Sequence, residues 1–167
     1  EERALAPIAF NEAKTLQYKC PNVLPNVGTD LCGLYSVPLN WLSPNTDKIS
    51  VFLRAFPLPQ TNENEAKGQL WLIDGGPGAS GATFSDPKFV ELVHAMGWDL
   101  FIPTHRGIGF SNHLNCNINY QPLDKMFVQT CPPELLKMYS DNLNWFGAVG
   151  AAYDLNYLIE ANNPSNA

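Results

Sequence analysis

The chain has 167 residues, 45% of them hydrophobic and 11% aromatic, a composition that can bury a globular core. Charged residues make up 16% and the formal net charge is −6, with the acidic excess scattered along the chain, so the charge pattern offers nothing to nucleic acid. The longest apolar runs, Leu70 to Ile73 and Leu100 to Ile102, fall far short of the roughly 20 residues that cross a bilayer as a helix, and no transmembrane segment is expected.

The chain opens on Glu1 with no basic-then-apolar leader, as expected of a processed chain or an expressed segment. Residues 1–19 show no period and read as a surface leader segment; residues 20–167 read as part of one core domain. Four cysteines fall as two local pairs, Cys20 with Cys32 and Cys116 with Cys131, each closing a short loop. Four cysteines allow three connectivities; local pairing is the simplest, and free buried thiols are the other reading. Disulfides need a non-reducing compartment, which points to a secreted or vacuolar-type location. No pair has zinc-knuckle spacing and no histidine cluster accompanies them, so neither a metal nor a cofactor is expected. The sequon-like Asn163-Pro164-Ser165 is blocked by its proline, so glycosylation is not expected.

In chain order, Gly33 to Trp41 and Ile49 to Phe56 alternate apolar and polar residues around a Ser43–Asp47 turn, the pattern of a β-hairpin. Pro38 in the first run favours an edge position, where a missing backbone donor does least harm. Pro57 to Gln69 is a polar surface connection. Leu70 to Ile73 reads as a strand buried on both faces. Asp86-Pro87 starts a helix that Gly97 ends, and Asp99 to Pro103 is the next buried strand. Strand, turn, helix and strand make a βαβ unit, so an α/β fold is expected, its antiparallel hairpin leading into a mostly parallel sheet with flanking helices. Cys116 to Cys131 is expected to be irregular, Pro132 and Pro133 to open a helix, and Asp141 to Glu160 to form a longer one.

Two glycine-rich segments carry the chemistry. Asp74-Gly75-Gly76-Pro77-Gly78-Ala79-Ser80-Gly81 directly follows one buried strand, and its glycines free the backbone for close approach to a ligand. Alone, it is equally an ordinary turn. Thr104-His105-Arg106-Gly107-Ile108-Gly109-Phe110-Ser111 follows the next strand. It fails as a dinucleotide fingerprint, because Asn112 stands where the third glycine belongs and no helix follows.

Read together, a GGPG turn and an RGxGxS turn after successive strands resemble the prolyl and tripeptidyl aminopeptidase branch of the α/β-hydrolases. Cys20…Cys32-Gly33-Leu34-Tyr35-Ser36-Val37-Pro38-Leu39-Asn40-Trp41 is similar to the cysteine-bracketed first strand of secreted members. Ala151 to Ile159 resembles the helix that precedes the nucleophile strand. The resemblance runs from about Cys20 to Ala161 and implies an N-terminal hydrolase part whose G-x-S-x-G nucleophile, acid and histidine lie on a further C-terminal chain. It implies a peptide substrate and an oxyanion donor in the backbone N–H of Gly76, with Gly75 as second choice. Ser80, Ser111 and Ser140 lack the nucleophile frame.

Asp74 stands where the family often has histidine, and Thr104 where it often has aspartate. Arg106 and His105 are expected to be structural, Asp154 to take a helix-face or capping role, His94 and His113 to be exposed and uninvolved, and Trp71 and Trp145 to be core or pocket-wall aromatics. A non-catalytic hydrolase-like binding or assembly module, and an esterase or lipase on the same fold, are the alternatives.

Overall fold

The computed structural model describes Cys20, residues 30–45, 47–59, 66–75, 78–114, Cys116 and 125–163, with the backbone alone over 125–129. The leader expected over 1–19, the central part of the Pro57–Gln69 connection, and Gly76 with Pro77 lie outside the described residues.

Strands β1 (Leu31–Pro38) and β2 (Lys48–Phe56) form the expected hairpin, in register from Leu31 opposite Ala55 to Pro38 opposite Lys48. Its turn is tied by Leu39 N–H donating to the Asp47 carbonyl at 2.7 Å and by the Asn40 side chain accepting from Leu42 N–H. Strands β3 (Gln69–Trp71) and β4 (Asp99–Pro103) run parallel and are joined through helix α1 (Pro87–Ala95), as the βαβ pattern requires. The sheet order is β1-β2-β4-β3, which leaves β1 with its Pro38 at one edge. β4 also pairs with β2, and that pairing is antiparallel. The described sheet is therefore mixed rather than mostly parallel, because the return strand of the hairpin sits directly against β4.

Alternation along β4 divides the interior in two. Phe101 packs on one face with Val37, Val51, Leu53, Ala55 and Leu158, whereas Leu100 and Ile102 pack on the other with Phe56, Val90 and Val93. Helix α3 (Ala148–Ala161) covers the first face and α1 the second, giving a layered α/β architecture. Asp86 caps α1 by accepting from Lys88 and Phe89 N–H groups, with Pro87 at the first helical position. β3 is only half-buried, in contrast to the two-sided burial expected from its apolar run. It is the edge strand of the described sheet, and its Trp71 stacks on Phe101 with centroids 4.5 Å apart.

The second half departs from its sequence pattern in two places. Helix α2 (Lys125–Tyr139) begins before Pro132 and Pro133 and runs through both, although each removes one backbone donor. Both prolines are exposed, and buried Cys116 bridges to Cys131 just before them, a tertiary tie that local propensity does not contain. The long helix expected from Asp141 to Glu160 is divided into a 3₁₀ turn (Ser140–Phe146) and α3, with Gly147 extended between them. The break turns the Trp145 carbonyl out of any continuing helix, so that it accepts from Arg106 at 3.2 Å. The buried positions of α3 are Gly150, Asp154, Leu158 and Ala161, while Val149 and Tyr153 from the expected apolar stripe are exposed.

Both local disulfides are present, Cys20–Cys32 and Cys116–Cys131, with Cα separations of 5.2 and 5.4 Å. Among the described residues, no helix is long and apolar enough to cross a membrane.

Candidate functional site

The carboxyl ends of the adjacent parallel strands β3 and β4 open into the two glycine turns, at the end of an α/β sheet where ligands bind. The first turn starts at Asp74, whose Oδ1 accepts from Gly75 N–H at 2.8 Å and whose Oδ2 accepts from the Thr83 hydroxyl at 2.9 Å. Of the two candidate oxyanion donors, Gly75 thus has its N–H directed to a side chain of its own loop. Gly76 lies outside the described residues. Further along, Gly81 adopts φ 75°, and a side chain there would run into Ile102 of β4.

The second turn begins at buried Thr104, whose N–H donates to the Phe52 carbonyl at 2.8 Å. Gly107 (φ 90°) and Gly109 (φ 55°) both occupy the left-handed region, which explains their spacing without a phosphate ligand. Buried Ser111 closes the turn: its hydroxyl donates to the Thr104 carbonyl at 2.7 Å and accepts from Phe52 N–H at 2.9 Å. Both hydrogen-bonding roles of this hydroxyl are thereby occupied by backbone.

The two turns are locked together. Thr104 Oγ1 donates to the Ser80 carbonyl at 3.1 Å, and a Cβ at Gly109 would stand 2.9 Å from Ser80 Cβ and 2.7 Å from Thr104 Cγ2. Ser80 is therefore a packing residue between the loops.

Beneath the second turn, Arg106 is almost fully buried and gives all five of its N–H donors an acceptor. Nε and Nη2 grip the two Asp154 oxygens, each at 2.6 Å, while the carbonyls of Pro38, Leu39 and Trp145 take the rest. Trp41 Nε1 donates to the same carboxylate at 2.9 Å. The structural role expected of Arg106 is the one observed; Asp154, expected in a helix-face or capping role, is instead the buried partner of that guanidinium, and the ion pair fixes α3 against the second turn. Trp41 as the third member was not anticipated; a tryptophan in the hairpin turn gives no sequence signal of a partner 113 residues away.

Between the turns and α3 lies a shallow concavity walled by Ile73, Pro103, Thr104, His105, Ala151 and Leu155. Its cavity volume of about 10 Å³ is no more than a single water needs and lies far below that of sites that enclose a drug-sized ligand. His105 is half-buried at its rim. His94, expected to be exposed, is half-buried, with Nε2 3.1 Å from the Phe56 carbonyl, because the last turn of α1 packs across the end of β2. His113 is exposed. Trp71 and Trp145 are both half-buried, the latter beside Tyr153.

Among the described residues, the one grouping with metal-ligand types is Cys20, Asp30 and Cys32. Its sulfurs are joined to each other, and Asp30 pairs with buried Arg54 at 2.6 Å. Those residues serve the β1 edge.

The residue that sequence reasoning undervalued at the site is Asp74. An aspartate directly before two glycines is a signal for a side chain that bonds its own loop, and that is the role it takes. Compared with known protein families and with curated proteins, the chain matches none.

Proposed function

We propose that this chain is the N-terminal part of a serine exopeptidase of aminopeptidase type, in which the glycine turn after β3 stabilises the oxyanion and a further polypeptide supplies the Ser-Asp-His triad. The observation that carries the reading is the pair of locked turns at the carboxyl ends of β3 and β4, joined by the Thr104–Ser80 hydrogen bond. Acyl transfer needs donors held rigidly where negative charge develops, and a turn braced by its neighbour meets that need. With the Gly75 N–H engaged by Asp74, the donor falls to Gly76. The half-buried β3 edge and exposed Ile73 beside it are where a completing strand would pair. The two disulfides are compatible with a secreted or vacuolar-type location.

The test is activity-based labelling with a fluorophosphonate, together with amino-terminal peptidase assays, on this chain alone and with the C-terminal polypeptide. Labelling is expected on the C-terminal polypeptide only. Labelling of the 167-residue chain itself overturns the division of roles.

A second reading, a non-catalytic binding or assembly module, draws on the carboxylate of Asp74 at the turn, since a negative charge beside an oxyanion site opposes catalysis. It predicts that the complete assembly leaves peptide and ester substrates intact.

A further inference from the structure

Cys32 of β1 stands directly opposite Arg54 of β2 in the hairpin register, so the two side chains share one face of the sheet, with Cβ atoms about 5 Å apart. The guanidinium is buried and held on two sides. Its Nε and Nη2 both donate to Asp30 Oδ2, at 3.0 and 2.6 Å, and its Cζ lies 4.8 Å from the centre of the Phe56 ring. A carboxylate oxygen of Asp30 and the sulfurs of Cys20 and Cys32 all fall within 4.8 Å of one another. The Cys20–Cys32 bridge therefore sits against a fixed, buried cation, and its two ends differ in access: Cys32 is 4% exposed, whereas Cys20 is half-buried. The Cys116–Cys131 bridge lacks this asymmetry, being buried at both ends.

Thiol–disulfide exchange depends on which sulfur an incoming thiolate can reach and on how well the other sulfur carries the negative charge it receives. An arginine beside a thiolate stabilises it. Access selects Cys20 for attack, and Arg54 selects Cys32 for departure. We propose that the Cys20–Cys32 bridge is a thiol-exchange site for a low-molecular-weight thiol. The thiolate sulfur of that thiol bonds to Cys20 Sγ, the bond between the two cysteines breaks, and its electron pair leaves on Cys32 Sγ as a thiolate beside Arg54. The products are a mixed disulfide on Cys20 and the Cys32 thiolate, with no further oxidant or reductant consumed. Asp30 moderates the step, because its carboxylate offsets the same cation that the departing thiolate requires. The site is independent of the peptidase reading.

The test incubates the 167-residue chain with reduced glutathione, stops the reaction with acid at early times, and maps thiols and adducts by mass spectrometry. The glutathione adduct is expected on Cys20, and the Cys20–Cys32 bridge is expected to open about tenfold or more faster than Cys116–Cys131. Arg54→Gln is expected to slow the opening about threefold or more, and Asp30→Asn to speed it by a similar factor. Both substitutions break the same buried ion pair, so a bridge that responds only to looser packing opens faster in both; the opposite signs are what the charge of Arg54 requires. Arg54→Lys keeps that charge and is expected to open within about twofold of the wild-type rate. A bridge that stays closed, an adduct on Cys32, or Cys116–Cys131 opening as fast overturns the site. An unchanged or faster rate in Arg54→Gln overturns the role of Arg54. Should that variant fail to fold, Arg54→Lys decides in its place, because faster opening there means that packing and not charge controls the bridge.

Discussion

Arg106 and Asp154, 48 residues apart in the chain, meet as a buried two-point ion pair with both N–O distances at 2.6 Å. Removing either partner strands a charge in the interior. Arg106→Ala and Asp154→Ala are each expected to destabilise the chain by about 3 to 5 kcal/mol in urea unfolding. Arg106→Lys keeps the charge but loses the planar fork that serves three carbonyls as well as the carboxylate, so it should also lower stability. A double-mutant cycle should show strong coupling between the two positions; additive losses would mean that the pair is not a unit.

Gly150 shows how closely α3 is fitted to this pair. A Cβ there would run into the Trp145 carbonyl and stand 3.0 Å from Arg106 Nη1. Alanine improves helix propensity by about 1 kcal/mol, yet the clash is with backbone that Arg106 holds in place. Gly150→Ala is therefore expected to lower the melting temperature, at a net cost of about 1 to 3 kcal/mol. A melting temperature that rises would show that the 3₁₀ turn can retreat.

Ser111 is expected to behave as a structural hydroxyl. Ser111→Ala leaves the Phe52 N–H and the Thr104 carbonyl without their partner inside the protein. The expected loss is about 2 to 3 kcal/mol by chemical denaturation. A variant as stable as the wild type would mean that water replaces the hydroxyl.

Tyr35 links stability to alkaline pH. Its hydroxyl is buried and donates to Asn162 Oδ1 at 3.0 Å; burial, with a smaller contribution from neighbouring Tyr157, pushes its pKa up to about 12. The folded pKa lies above the unfolded one, so the neutral phenol's contribution is fully present below about pH 10 and is lost as pH rises toward 12. The expected loss over that window is roughly 2 to 3 kcal/mol, followed by tyrosinate absorbance and thermal melts. Tyr35→Phe should be less stable at neutral pH but should lack this component of the alkaline fall.

The Cys116–Cys131 bridge closes a separation of 15 residues. Replacing both cysteines by serine is expected to cost about 3 kcal/mol, measured by denaturant midpoint against wild type under non-reducing conditions. An unchanged midpoint would show that α2 holds its place without the bridge.

How much of this was legible depends on the range of the forces involved. The hairpin, the DLFIP strand and the Asp86-Pro87 helix start follow from alternation and capping, which are local. Pro132 and Pro133 misled for the same reason: a proline pair opens helices by local preference, and the disulfide beside it is a long-range restraint. The division at Gly147 leaves the Trp145 carbonyl to accept from Arg106, 39 residues away, a pairing that no local pattern shows. At the site, the glycines marked both turns, but not that Thr104 and Ser80 join them. The bond from Gly75 N–H to the Asp74 side chain is local, and an aspartate directly before two glycines is its sequence signal.

The seat of Gly109 against Ser80 makes the second turn a gauge for the first. A side chain at 109 would meet Ser80 Cβ at 2.9 Å, so any added bulk would be transmitted to the loop that begins at Asp74. The heights of the two loops above the sheet are thus set as one dimension. Variation at positions 80, 104 and 109 should be accepted in matched sets far more readily than singly, however far the altered atoms lie from any bound ligand.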